Sequence, residues 1–119
     1  MQYMLMCCFD EDRWTALPQA QKDAVMQDYG ELIRSLMQSG QCRASVKLQP
    51  STSSTTLREK NGKLTIIDGP YAESKELLGG YHLVECKDLD EALAIAARIP
   101  TLRVGGTIEV RPVESIAEP

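Results

Sequence analysis

Apolar and polar positions divide this chain into short segments of two different periods. Residues 2–9 form an apolar run that ends at the polar "DEDR". The run is too short for a helix and predicts a strand. From Pro18 to Ser39 the period changes. Val25, Tyr29, Leu32, Ile33, Leu36 and Met37 recur at helical spacing and make one continuous stripe. Pro18 suits the first turn, and Gly40 suits the residue just past the end. Gly30 lies inside this helix at a cost of roughly 1 kcal/mol relative to Ala, and points to a close approach by another backbone.

The strand period returns in "CRASVKLQ", residues 42–49, and "PSTSST" follows as a loop. In "TTLREKNGKLTIID" two β-capable runs flank Asn61-Gly62, the pair that favours a tight type I′ hairpin turn. Residues 79–86 predict another strand. "DLDEALAIAARI" predicts a helix with Asp88 as N-cap and Glu91 three residues on. Leu89, Ala92, Leu93, Ala96 and Ile99 are its expected buried side, and Pro100 stops it. "GTIEVRPV" predicts a last strand, with Ile108 and Val110 on one side and Thr107, Glu109 and Arg111 on the other.

Strand, helix, strand, hairpin, strand, helix, strand is the order of two βαβ-type halves with a hairpin inserted between them. It predicts an α+β fold, a ferredoxin-like sandwich with both helices on one side of an antiparallel sheet. The sheet's other side is not polar. In the first strand Met4, Met6 and Cys8 face away from Tyr3, Leu5, Cys7 and Phe9, and both sets are apolar. Two helices cover only one side. A second copy in a twofold homodimer is expected over the other, in preference to the hairpin folding back on it.

Length and charge narrow the picture. The 119 residues predict a single domain, residues 1–119, and the net charge is −4. No basic block or aromatic-basic interleaving points to nucleic acid. No apolar run approaches the roughly 20 residues of a membrane span. "MQYMLMCCF" has no positive n-region, so a soluble, cytoplasmic protein is expected. Four cysteines and one histidine occur without a C-x-x-C pair, so no metal or other cofactor is expected. The thiols read as small apolar side chains, with Cys7 and Cys8 on opposite faces of a strand.

The candidate chemistry lies in "IIDGPYAESKELLGGYHLVE", residues 66–85. Asp68 ends the strand that leaves the hairpin, and Gly69-Pro70 turns the chain sharply there. Glu73, Lys75 and Glu76 suit one helical turn. Gly79 and Gly80 permit a bulge or a close backbone approach. As structure alone, this is Asp-Gly-Pro turn chemistry followed by solvated charge. As a site, Asp68 faces a pocket between sheet and partner, where desolvation raises its pKa for proton transfer. Tyr71 and Tyr81 then supply hydroxyls or walls. His82 is the only imidazole; if it shares a face with Val84 and Cys86, it lies opposite Tyr81.

"DGPYAESKELLGGYHLVE" closely resembles the signature of the YCII-related family, in the subgroup called DGPF-domain proteins. "YMLMCCF", "LQPSTSSTTLR", "DLDEALAIAARIP" and "IEVRPV" are also similar, so the resemblance covers nearly the whole chain. It implies a ferredoxin-like domain that pairs into a dimeric α+β barrel. Some wider relatives are cofactor-independent enzymes, one branch dehydrochlorinase-like, with a proposed His–Asp active-site pair. DGPF members are often encoded beside extracytoplasmic-function sigma factors, which implies a link to such a pathway. The motif maps onto Asp68, Gly69, Pro70, Glu73, Lys75, Glu76, Gly79 and Gly80. Tyr71 stands where Phe is usual, Leu77 where Gln is common and His82 where a second aromatic is common. The enzyme-like relatives carry their histidine in the first helix, and "AVMQDYGEL" has none.

Two functions are therefore expected. One is a ligand-binding or regulatory-accessory domain, linked to sigma-factor regulation, with Gly69, Pro70, Glu73, Lys75, Gly79, Gly80 and Tyr81 around a small molecule. The other is a cofactor-independent enzyme, lyase, isomerase or dehydrochlorinase-like, using Asp68 for proton transfer with Tyr29, Tyr71 or His82.

Overall fold

The computed structural model describes residues 1–71 and 74–117. Strand β1 (Gln2–Asp10) leads into a single helical turn, α1 (Glu11–Thr15), and then into the long helix α2 (Gln19–Gln38). β2 (Cys42–Lys47), the hairpin β3 (Thr55–Lys60) and β4 (Lys63–Asp68), β5 (Glu76–Glu85), α3 (Leu89–Ala96) and β6 (Thr107–Pro112) follow. β2, β5, β1 and β6 pair in that order, each antiparallel to its neighbours, while β3 and β4 form a separate two-stranded sheet. This is an α+β fold compatible with the ferredoxin-like arrangement. β1–α2–β2 and β5–α3–β6 are its halves.

Local chemistry explains the element ends. The Asp10 carboxylate accepts from the N–H groups of Asp12 and Arg13 and starts α1, a turn absent from the sequence reading of "DEDR" as a simple polar stop. Past α2, Gly40 takes φ +77, and the N–H groups of Gly40 and Gln41 return to the Met37 and Leu36 carbonyls. That is the two-bond closure glycine permits at a helix end. Asp88 caps α3 by accepting from the Glu91 N–H at 2.9 Å. Asn61 (φ 53) and Gly62 (φ 77) both adopt the left-handed backbone of a type I′ turn.

The core lies between the sheet and both helices. β1 turns Tyr3, Leu5 and Cys7 inward, β5 adds Val84, α2 adds Leu32 and Leu36, and α3 adds Ala92, Ile95 and Ala96. Each fully buried aliphatic side chain stabilises the fold by about 1.5–3 kcal/mol. Two expectations of the stripe reading are corrected. Met37 is exposed, lying about 100° round the helix from buried Leu36. In α3, Leu89 and Leu93 are exposed, and Ile95 is buried instead. Residues 89, 92, 93 and 96 and residues 92, 95, 96 and 99 are equally good helical stripes. Packing against the sheet selects the second.

The hairpin does not fold over the sheet's outer face. Its Leu57, Leu64 and Ile66 share one face by strand register and are all more than half exposed. The radius of gyration, 16.3 Å, exceeds the roughly 13.5 Å of a compact chain of this length.

Gly30 and Gly80 have opposite reasons for lacking a side chain. A Cβ on exposed Gly30 first meets Arg34 Nη2 at 4.0 Å, so no backbone approaches it, contrary to the sequence reading. A Cβ on Gly80 lies 2.5 Å from the Val46 carbonyl oxygen on β2. Gly30→Ala is expected to stabilise the protein by roughly 0.5–1 kcal/mol, and Gly80→Ala to destabilise it by about 1–3 kcal/mol. Urea unfolding of the two variants measures both; an unchanged midpoint for Gly80→Ala would contradict the close β2–β5 approach.

Candidate functional site

The site begins with an irregularity in β5. Cys7 pairs with Gly80 but Cys8 pairs with Leu78, so Gly79 is an extra residue, a β-bulge. A Cβ there would run into the Phe9 ring. Beyond the bulge, alternation turns Gly80, His82 and Val84 toward the helices and Tyr81 and Leu83 to the outer face.

His82 is thereby buried, 6% exposed, on the core face, and both ring nitrogens have partners. Nε2 bonds to the Tyr29 hydroxyl from α2, and Nδ1 lies 2.8 Å from Ser45 Oγ on β2. Tyr29 also contacts Cys7 Sγ at 3.3 Å, and Ser45 contacts Cys42 Sγ at 3.3 Å. The result is a chain of five groups: Cys7, Tyr29, His82, Ser45 and Cys42. Burial lowers the His82 pKa, so the ring is neutral at pH 7. Burial, reinforced by the hydrogen bond with Cys7, raises that of Tyr29. The Cys7 thiol is also pushed up, chiefly by burial.

A neutral imidazole satisfies this chain in either direction. Tyr29 donates to Nε2 while Nδ1–H donates to Ser45, or Ser45 donates to Nδ1 while Nε2–H donates to Tyr29. The pair can therefore present a donor or an acceptor to a molecule beside it.

There is room for one. A cavity of about 270 Å³ opens between α1, α2 and the sheet. Tyr29, His82 and Ser45 line one part of it, and Phe9, Trp14 and Ile33 give it apolar walls. Trp14 stands 6.5 Å from Phe9, ring centre to ring centre.

Of the residues proposed from sequence, Tyr29, Gly79, Gly80 and His82 line this cavity. Asp68 is exposed at the end of β4 and does not line it. The turn after Asp68 is held by backbone: the Gly69 N–H donates to the Ser54 carbonyl, and Thr56 Oγ1 donates to the Gly69 carbonyl, both at 2.7 Å. Gly69 takes φ +106 there. Pro70 and Lys75 are exposed, and Tyr71 is 77% exposed. Tyr81 lies on the outer face, and Glu73 is outside the described residues. Cys7, Ser45 and Trp14 belong to the cavity without any sequence signal. Tyr29 did have one, as the only hydroxyl in the α2 stripe. Among the described residues no three His, Cys, Asp or Glu side chains are grouped to hold a metal, and no helix is long and apolar enough to cross a membrane.

Comparison with known proteins gives the chain a family. The model of the YCII-related domain matches residues 1–117. The chain belongs to the YCII-related family. It is similar to an uncharacterised protein of Rhizobium meliloti (strain 1021), 35% identical over 114 residues, which cover 95% of this chain and 92% of that protein. In this YCII-related chain, Tyr29 and His82 meet across 53 residues of sequence.

The sign of the pH effect follows from burial. With the folded His82 pKa below the ordinary 6.5, the unfolded chain takes up a proton first as pH falls. The stability contributed by neutral His82 is complete above about pH 6.5 and is lost as pH drops through the depressed folded value. Urea midpoints of wild type and His82→Gln should differ by a constant gap above pH 7 and converge toward pH 5. Parallel curves across that range would contradict a neutral, buried His82.

Proposed function

We propose that this YCII-related protein binds a small organic molecule in the cavity beneath α2, with the Tyr29–His82 pair contacting the molecule's polar group. The observation that carries the reading is the cavity itself, an apolar space ending on the buried His82 and its hydrogen-bond partners Tyr29 and Ser45. Ligand sites combine such apolar walls with few, well-placed polar atoms. The reading does not use Asp68, which is exposed and outside the cavity wall. The "DGPYAESKE" segment supports membership of the DGPF subgroup, with Tyr71 in the place of its phenylalanine.

We also propose that the protein works as a homodimer closed through the outer face of the sheet. Met4, Met6, Ala44, Val46, Tyr81 and Leu83 lie half-buried on that face, with neither helix over them. The exposed apolar stripe of the β3–β4 arm adds to the uncovered surface. A lone two-stranded hairpin is marginal in water, which favours a partner surface against it.

Trp14, the chain's only tryptophan, lines the cavity and reports on it. In a titration series of small aromatic fragments, those that change Trp14 fluorescence should bind about tenfold or more weakly to Ile33→Phe, which fills the space. Undiminished binding in that variant, or a series with no effect on Trp14, would sink the cavity reading. For the dimer, sedimentation equilibrium at micromolar concentration should give twice the chain mass for wild type and a single chain for Leu83→Glu. A monomeric wild type would remove the proposed interface.

A further inference from the structure

The cavity has a second polar end. Arg13 lies on α1, which is tied at its start: Asp10 caps it, and the Glu11 carboxylate accepts the Ser51 N–H at 3.1 Å through both oxygens. The Arg13 guanidinium rests against Gly105 so closely that a Cβ there would overlap it. Gly105, at φ +94, thus leaves a slot for the guanidinium on the cavity wall. Among the described residues Arg13 makes no ion pair, and its side chain donates no hydrogen bond. Thr101 lines the same cavity, and its Oγ1 is buried with no hydrogen-bond partner among the described protein atoms. A buried hydroxyl without a partner is unusual and costs free energy.

We propose that Arg13 and Thr101 form an anion subsite and that the ligand is a small organic acid: an apolar body, a carboxylate or similar anion at Arg13, and a hydrogen-bonding group at Tyr29–His82. This rests on the reading of the cavity as a ligand site. The charge balance of the wall agrees with it. The charged residues lining the cavity are Arg13, Lys47 and Asp10, a net charge of +1 inside a chain of net charge −4. Asp10 already accepts from the Asp12 and Arg13 N–H groups through Oδ1. The guanidinium offers a planar fork of donors that matches a carboxylate, and Thr101 adds one hydroxyl donor. Phe9, Trp14 and Ile33 provide apolar walls for the body of the ligand.

The test uses a matched pair of probes, 4-hydroxybenzoate and 4-hydroxybenzamide, titrated separately while Trp14 fluorescence is read. Both carry a phenol opposite the varied group, and only the first is an anion. The acid is expected to bind about tenfold or more tightly than the amide, the effect of one charge-assisted pair. Arg13→Gln should erase that advantage by weakening the acid far more than the amide, and Thr101→Val should reduce it in part. Arg13 is exposed, so Arg13→Gln should keep the wild-type thermal midpoint, which is measured alongside. Equal affinities for acid and amide, or an advantage that survives Arg13→Gln, would overturn the anion subsite while leaving the cavity reading standing. Failure of both molecules to perturb Trp14 would count against the cavity reading and this proposal together.

Discussion

Successive side chains on a strand point to opposite faces, and the β1–β5 register turns that geometric fact into a site. Leu5 pairs with His82 and Tyr3 with Val84, so His82 inherits the inward direction of the buried β1 residues. A slip of one residue would put Tyr81 under the helices and His82 on the outer face. The bulge at Gly79 works against such a slip, because the register before it and the register after it differ by one residue. The two glycines of the signature are thus parity devices as much as spacers. One makes room for the Phe9 ring, the other for the Val46 carbonyl, and both then line the cavity they help to shape.

The His82 ring placed by that register is costly to bury unless both of its nitrogens have partners. Here each interior member of the polar chain has two neighbours, and the sulfurs of Cys7 and Cys42 terminate it. Thiols are weak donors and weak acceptors, so they close the chain in either direction without fixing that direction. The tautomer of His82 is then left unfixed by the chain itself. A strongly accepting end group, such as a carboxylate or aspartate, would have settled the tautomer in advance.

Much of the fold was legible because it rests on local rules. Asn61-Gly62 specifies its own turn, Gly40 ends α2 and Asp88 starts α3 by local hydrogen bonds, and the α2 stripe needs only the 3.6-residue period. What was not legible depends on tertiary contacts. Nothing in the sequence chooses between the two overlapping stripes of α3. The one-turn helix α1 exists because Asp10 caps it and Glu11 reaches Ser51, 40 residues on. Asp68 drew attention because Asp-Gly-Pro stands out by composition. Yet the described hydrogen bonds at that turn run through the backbone of Gly69 and the side chain of Thr56. Tyr29 gave a weak signal and Ser45 none, since a tyrosine in an apolar stripe and a serine in a strand are ordinary until a histidine lies between them.

The same alternation that buries His82 assigns the two faces of β5 to different tasks. Tyr81 and Leu83 face the uncovered side of the sheet, and Gly80 and His82 face the cavity, with one backbone shared between them. The consequences of a substitution on this strand therefore follow from its parity more than from its distance along the chain. A charge at position 83 alters the outer face and leaves the hydrogen bonds of His82 to Tyr29 and Ser45 in place. A bulky group at position 80 pushes β2 away and carries Ser45 with it. Position 79 is the exception, because a bulge residue belongs to neither ladder. Its side of the strand is set by Phe9, which ties the end of β1, the ring of Trp14 and the cavity wall into one packed unit.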